Sequence, residues 1–319
     1  TRQGIPMITA AVATGGELRW ANGYGLSDVE NNVPAKAATV HRLGSISKPI
    51  TAVAALQLYE SGRLDLDAPV QKYVPGFPLK PWPITSRQLL GHLGGIRHYN
   101  GEDEVNSTRH YRNLIDPLAI FQRDALVAEP GTRYNYTTYG YVLLGAVVEA
   151  ASGARFMDYL RERVFLPAAM DRIRDDHPFA LIPNRARGYR RYATGQLENC
   201  ALADTSNKIP GGGLCSTTED LVKFALAVRR GTLLKPETVE MMFTRQKLRD
   251  GTETPYGLGW NVPAVEGGRR IVMHGGGQQG TSTVLAMLPR EGAAVALMCN
   301  LERGSLSKLG VEMLRQVTQ

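Results

Sequence analysis

Ser45 and Lys48 stand three residues apart in the run Leu43-Gly44-Ser45-Ile46-Ser47-Lys48-Pro49. On a helix that spacing puts both side chains on one face, with Cβ atoms roughly 5–6 Å apart. A serine hydroxyl and a lysine amine then meet without a second chain segment. The chemistry such a pair offers is nucleophilic attack by the serine, with the lysine lowering the cost of its deprotonation. Pro49 places the helix start, because proline is tolerated only in a first turn. Val53, Leu56, Leu58 and Tyr59 continue the helical pattern and Ser61-Gly62 closes it. Ser45 therefore falls at the positive end of a helix dipole, where free N–H groups favour developing negative charge. The spacing also has a plainer reading, with Ser45 an ordinary N-cap and Lys48 solvated. Ser305-Leu306-Ser307-Lys308 repeats the pattern; there Ser305 follows Gly304, opens the last amphipathic stretch and reads as a cap.

The elements that must position such a pair follow from turn and cap signals. Residues 5–13 and 17–25 read as two strands around Thr14-Gly15-Gly16. Asp67 reads as the cap of a short helix with Pro69 in its first turn, and Thr85 with Gln88 as a capping box for a helix ending near His92. Residues 116–127 read as helix, as do a stretch from about Tyr139 to Ser152 closed by Gly153, and 156–165. Thr218 reads as the cap of a helix ending near Arg230. Residues 256–262, 269–274, 281–288 and 293–300 are β-rich, with Pro289-Arg290-Glu291-Gly292 turning the last two antiparallel, and a helix runs from Ser305 to Val317. Two strands do not make a stable sheet alone, so the early pair is expected to join the C-terminal ones. The result is an α+β chain. Residues 1–66 and 205–319 form the sheet domain, 67–204 form a mainly helical insertion, and Ser45 lies where the two parts meet.

Composition narrows the function classes. At 319 residues and 43% hydrophobic content the chain can bury a large core. No apolar run is long enough for a membrane span. No signal peptide stands at Thr1, and the chain opens directly on strand-like sequence, which fits a processed periplasmic or secreted protein better than a cytoplasmic one. The net charge is +7, and Arg185, Arg187, Arg190 and Arg191 cluster. No nucleic-acid motif accompanies them, so a solvated face and a small-molecule or peptide substrate are expected rather than nucleic acid. Three cysteines without CxxC, six histidines without ligand spacing, and no GxGxxG or phosphate loop call for no metal and no cofactor. The GxSxG elbow of α/β-hydrolases is absent. Oligomeric state is not legible.

Three segments together resemble the serine β-lactamase-like superfamily, which holds class C β-lactamases, penicillin-binding D-alanyl-D-alanine peptidases and family VIII carboxylesterases. They are Ser45-Ile46-Ser47-Lys48, then Pro130-Gly131-Thr132-Arg133-Tyr134-Asn135-Tyr136-Thr137-Thr138, similar to that family's PGxxxxYSN, and His274-Gly275-Gly276-Gly277, similar to its KTG or HTG strand. Gly211-Gly212-Gly213-Leu214 resembles a glycine turn of the family. Within the superfamily the LACTB-type serine proteases share further stretches, among them Leu64-Asp65-Leu66-Asp67, His92-Leu93, Gly95-Ile96-Arg97-His98-Tyr99 and Asn184-Arg185-Ala186-Arg187.

The resemblance implies a serine hydrolase of the SxxK type. Ser45 would form the acyl-enzyme, and Lys48 and Tyr136 would carry protons, with either as the acylation base. His274 would tune Tyr136, and the N–H groups of Ser45 and Gly277 would hold the oxyanion, with glycine letting the strand come close. Thr138, Gly275, Gly276, His98 and Tyr99 would contact substrate. Thr138 stands where the family carries Asn and Gly275 where it carries Thr, which argues against efficient β-lactam hydrolysis. A LACTB-like peptidase is the leading expectation. A carboxylesterase, a weak β-lactamase or D-Ala-D-Ala carboxypeptidase, and a catalytically idle penicillin-binding or scaffold protein are the alternatives.

Overall fold

A computed structural model describes residues 4–263 and 268–318. Its centre is a six-stranded antiparallel sheet built from both ends of the chain: β1 (Met7–Thr14), β2 (Glu17–Asp28), β3 (Val33–Pro34), β4 (Val272–Gln278), β5 (Thr281–Leu288) and β6 (Ala293–Cys299). The order across it is β3-β2-β1-β6-β5-β4. The early hairpin thus reaches the C-terminal strands through β1 and β6, with Ala11 opposite Ala296. Every residue of β5 and β6 is buried. That explains why these segments read as continuous apolar runs rather than alternating ones: both faces of the sheet are covered. Ala11, Leu285, Met287, Ala296 and Met298 face the main core, whereas Val12, Val284, Val295 and Leu297 face a smaller one with Leu306 and Leu314.

The helix predicted around Pro49 is α1 (Ser47–Glu60), preceded by a single 3-10 turn over Gly44–Ile46. It is the axis of the main core: Ile50, Val53, Leu56 and Leu58 are at most 1% exposed. A helix that is apolar nearly all round must be covered all round. The capping box forms as read, opening α2 (Ser86–Leu90). Helix α3 (Thr138–Ser152) starts from a Thr137 cap and ends on Gly153 in the left-handed region. Helix α4 (Thr218–Arg229) and the C-terminal α5 (Ser307–Gln316) complete the frame. No helix among the described residues is long and apolar enough to cross a membrane.

Several local readings are corrected. Thr217, not Thr218, caps α4; its hydroxyl accepts from the Asp220 N–H. Asp67 caps nothing: Pro69 opens the short 3-10 turn, and the Asp67 carboxylate pairs with Arg87. The helix expected over 116–127 is a 3-10 turn, Asp116–Ile120, and beyond it the chain gives the carbonyls of Gln122 and Asp124 to the Lys80 amine. Residues 256–262 form only isolated bridges, and the strand expected over 269–274 runs from Val272 to Gln278. Ser305 is exposed and makes no cap; Leu306, buried against the sheet, takes that position.

Candidate active site

The segment before α1 is pinned from two directions. Leu43 donates its N–H to the Leu214 carbonyl (2.8 Å) and accepts at its own carbonyl from the Thr283 hydroxyl (2.9 Å). Gly44 then turns with φ +54°, a conformation that favours glycine, and delivers Ser45 to the front of the helix. Ser45 and Lys48 meet as the spacing requires: Lys48 Nζ lies 3.0 Å from Ser45 Oγ. The lysine also donates to the Gly211 carbonyl (2.7 Å) and reaches Thr138 Oγ1 at 3.2 Å. It is fully buried, and burial first, then the charge of Lys208, push its pKa well below 10.5. A neutral amine has two N–H donors and one lone pair. The Gly211 carbonyl can only accept, so it fixes one donor. Thr138 takes the other, and the lone pair is left for the Ser45 hydroxyl.

Gly211 gets close because it has no side chain: a Cβ there would stand 2.7 Å from Thr138 Cγ2. The glycine turn noticed in the sequence therefore aims a carbonyl at the lysine. Thr138, expected against substrate, sits beneath Lys48 instead and is 3% exposed.

Tyr136 also reaches Ser45. Its hydroxyl hydrogen-bonds the Ser45 side chain, and its ring lies 4.7 Å from Lys48 Nζ. Burial raises its pKa, the hydrogen bond to Ser45 opposes the rise, and Tyr134 and Tyr99 add to it. Tyr136 thus keeps its proton at neutral pH, while burial drives Lys48 toward its neutral, proton-accepting form. His274 packs beside Tyr136, with ring centroids 6.3 Å apart, but its hydrogen bonds go elsewhere. Nδ1 faces the Gly275 carbonyl at 2.6 Å and so carries the hydrogen; Nε2 accepts from the Tyr256 hydroxyl at 2.8 Å. Desolvation, then Lys48, lowers the His274 pKa to about 3.

β4 is the sheet edge that faces this group. Met273 exchanges both backbone bonds with Asn261 on the side away from β5. Outward groups recur every second residue, so the Gly277 N–H also leaves the sheet edge, and it lies beside the Gly44 backbone: a Cβ on Gly44 would stand 2.8 Å from the Gly277 nitrogen. The N–H groups of Ser45 and Gly277 are thereby brought together. The reason for glycine differs from the one expected. Gly277 has open space around it, whereas a Cβ on Gly276 would stand 2.1 Å from the Leu43 carbonyl oxygen. Gly276 is the residue that admits the close approach.

Two hollows meet at Gly275 and Ser307. The larger, about 1170 Å³, is lined among others by Tyr99, Glu102, Gly277 and Arg303; the smaller, about 420 Å³, by Tyr136, Met273 and His274. Tyr99 thus borders the cleft. Burial raises its pKa, while its hydrogen bond to Thr138 opposes the rise. His98 supports the backbone, accepting from the Thr138 N–H at Nδ1 (3.2 Å), and burial lowers its pKa to about 4.

Three residues here carried no functional signal in the sequence. Lys208, 2% exposed, lies 5.2 Å from the Tyr99 ring and bonds the Val105 carbonyl; burial lowers its pKa to about 8. Tyr256 anchors His274. His92, noticed only as a shared dipeptide, packs against Tyr136. Each becomes visible only when distant segments meet.

Comparison with known proteins identifies the family of this fold. The Beta-lactamase family profile matches residues 1–315. The human mitochondrial serine beta-lactamase-like protein LACTB is 30% identical over 97% of this chain and 76% of its own length. An octameric penicillin-binding protein homologue from Pyrococcus abyssi superposes with a TM-score of 0.84 at 26% identity, over 99% of this chain and 74% of the other. A D-stereospecific amidohydrolase from a Streptomyces species gives 0.80 at 25% identity, over 97% and 93%. The chain belongs to the β-lactamase family, as a serine hydrolase of the β-lactamase-like type.

Proposed function

We propose that this hydrolase cleaves amide bonds of small or peptide substrates through an acyl-enzyme on Ser45, with a LACTB-like peptidase activity favoured over ester or β-lactam hydrolysis. The observation that carries the reading is the buried amine of Lys48 at 3.0 Å from Ser45 Oγ, with its pKa pushed down and one donor already committed to Gly211. Lys48 takes the Ser45 proton as Oγ bonds to the carbonyl carbon. The oxyanion is held by the N–H groups of Ser45 and Gly277, a donor of this kind being worth about 3 kcal/mol. When the C–N bond breaks, Tyr136 gives its proton to the departing nitrogen and the proton on Lys48 restores the phenol. Water then attacks the acyl carbon and gives up a proton to the same pair, and Ser45 leaves with one. The choice between the two proton carriers rests on burial, which drives the lysine toward its neutral form and the tyrosine also toward its neutral form. A neutral amine is a base; a neutral phenol is an acid.

The support for amides over β-lactams is local. Thr138 turns its hydroxyl to Lys48, and Gly275 has no side chain to offer a lactam carboxylate. The resemblance to an amidohydrolase and to LACTB points the same way. Turnover of N-acetyl peptide amides, aminoacyl amides, p-nitrophenyl esters and nitrocefin by the wild type and Ser45→Ala tests the reading. Ser45-dependent amide cleavage with weak nitrocefin turnover is expected, and dominant nitrocefin turnover would overturn it.

A further inference from the structure

We infer that His92 is a positioning residue for Tyr136, clamping the peptide groups on both sides of it and backing its ring. This rests on the reading of Tyr136 as the proton donor to the leaving group. His92 follows α2 directly, through Gly91, and takes φ +59°, an uncommon conformation for a non-glycine residue. In that conformation its carbonyl accepts the Asn135 N–H at 2.9 Å and its Nδ1 accepts the Thr137 N–H at 3.2 Å. Its ring centroid lies 4.3 Å from that of Tyr136. One side chain and its own backbone thus hold the residue before Tyr136, the residue after it, and the aromatic face between them. Neighbouring contacts tie the same two segments, Leu93 to Gly131, Ile96 to the Asn135 side chain and Arg97 to the Thr137 hydroxyl. His98 also meets the Tyr136 ring, but edge-on at 5.9 Å and while bonding Thr138, so the peptide groups directly flanking Tyr136 and its close face are held by His92.

The rest of the environment fixes the imidazole. His92 is 1% exposed, and Tyr256 and Tyr141 pack on it at 4.7 and 5.2 Å. Because Nδ1 must accept, Nε2 carries the hydrogen; it has no hydrogen-bond partner among the described residues. A buried donor left unmatched costs free energy, so packing alone would be served better by an apolar ring. The hydrogen-bond acceptor facing Thr137 is what phenylalanine could not supply.

The role predicts a leaving-group signature. Loss of a well-placed proton donor hurts a substrate whose leaving group needs the proton and spares one whose leaving group departs as a stable anion. Wild type, His92→Phe, His92→Asn, Tyr136→Phe and the His92→Phe/Tyr136→Phe double variant are compared on p-nitrophenyl butyrate and ethyl butyrate, with thermal melts of each. His92→Phe is expected to lose about 10–100-fold in kcat/KM, which reports acylation, on the ethyl ester and under about 5-fold on the p-nitrophenyl ester, the loss expected of a slightly misplaced group. His92→Asn, which tolerates positive φ and offers Oδ1 where Nδ1 stood, is expected to recover most of it. In the Tyr136→Phe background, His92→Phe is expected to add no selective loss, since both act at one step. Equal losses on the two esters, or an undiminished selective loss in the double variant, would overturn the positioning role. A Tyr136→Phe variant without leaving-group selectivity would instead overturn the assignment of Tyr136 on which it rests.

Discussion

Acidification from pH 7 to pH 5 should destabilise this protein through buried histidines, and His41 and His274 allow the size to be worked out. Both are fully buried, and desolvation holds the pKa of each at about 3 against an ordinary 6.5. Between those values the unfolded chain binds a proton that the folded chain refuses, so stability rises with pH and the deficit grows as pH falls from 6.5 toward 3. At pH 5 the unfolded side is favoured by about 1.5 units, or about 2 kcal/mol for each histidine and about 4 kcal/mol for the pair. That is a large part of a typical total of about 5–15 kcal/mol. His92 and His98 shift in the same direction and add to it. The carboxylates with lowered values, Asp28, Asp67, Glu104 and Asp204, contribute stability that is lost only as pH falls below the ordinary carboxylate range, so they stay silent in this window. The assay is urea unfolding at pH 7, 6 and 5 for the wild type and His41→Gln, the glutamine amide standing where Nε2 faces the Thr9 hydroxyl at 3.1 Å. His41→Gln should shrink the pH 7-to-5 loss by about 2 kcal/mol. A wild-type stability flat across the window, or an equal loss in the variant, would refute the reasoning.

On an activated ester, kcat/KM should fall as pH drops through the lowered Lys48 pKa, because the base is consumed by protonation. Lys48→Arg should abolish that limb with most of the activity, as arginine stays protonated, and near-normal activity in this variant would rule out the lysine as base. Ser305→Ala should leave both activity and melting temperature unchanged, since Ser305 makes no cap; a clear loss of turnover would mean that the wrong Ser-x-x-Lys had been chosen. Nitrocefin should be turned over more slowly than p-nitrophenyl esters, and a rate typical of a dedicated β-lactamase would contradict the placement of Thr138 beneath Lys48.

What the sequence revealed is what local physics determines. The Ser45–Lys48 contact, the start of α1 near Pro49, the Thr85–Gln88 box and the Gly153 terminus each depend on residues within a turn or two of one another, and all are present. Adjacent alternatives were harder: Thr217 and Thr218 are chemically equivalent caps, and the extended backbone at Thr217 decides between them. Residues 116–127 carry a helical pattern, but the helical turn ends at Ile120, and the carbonyls of Gln122 and Asp124 meet Lys80, about forty residues earlier in the chain, a contact no local pattern shows. The site followed the same rule. Helical spacing brought out Ser45 with Lys48, and the family resemblance brought out Tyr136 and the glycine edge. The facts that Gly276 rather than Gly277 admits the strand, that His274 bonds Tyr256, and that His92 brackets Tyr136 depend on segments joined only in the fold.

The central claim is that Ser45 is the nucleophile, and covalent capture tests it most directly. The wild type and Ser45→Ala are incubated with a fluorophosphonate probe, digested, and read by mass spectrometry. The account predicts one adduct, on the peptide bearing Ser45, formed faster as pH rises through the Lys48 transition and lost entirely in Ser45→Ala with the melting temperature preserved. An adduct on another serine, or full labelling and turnover by Ser45→Ala, would contradict it.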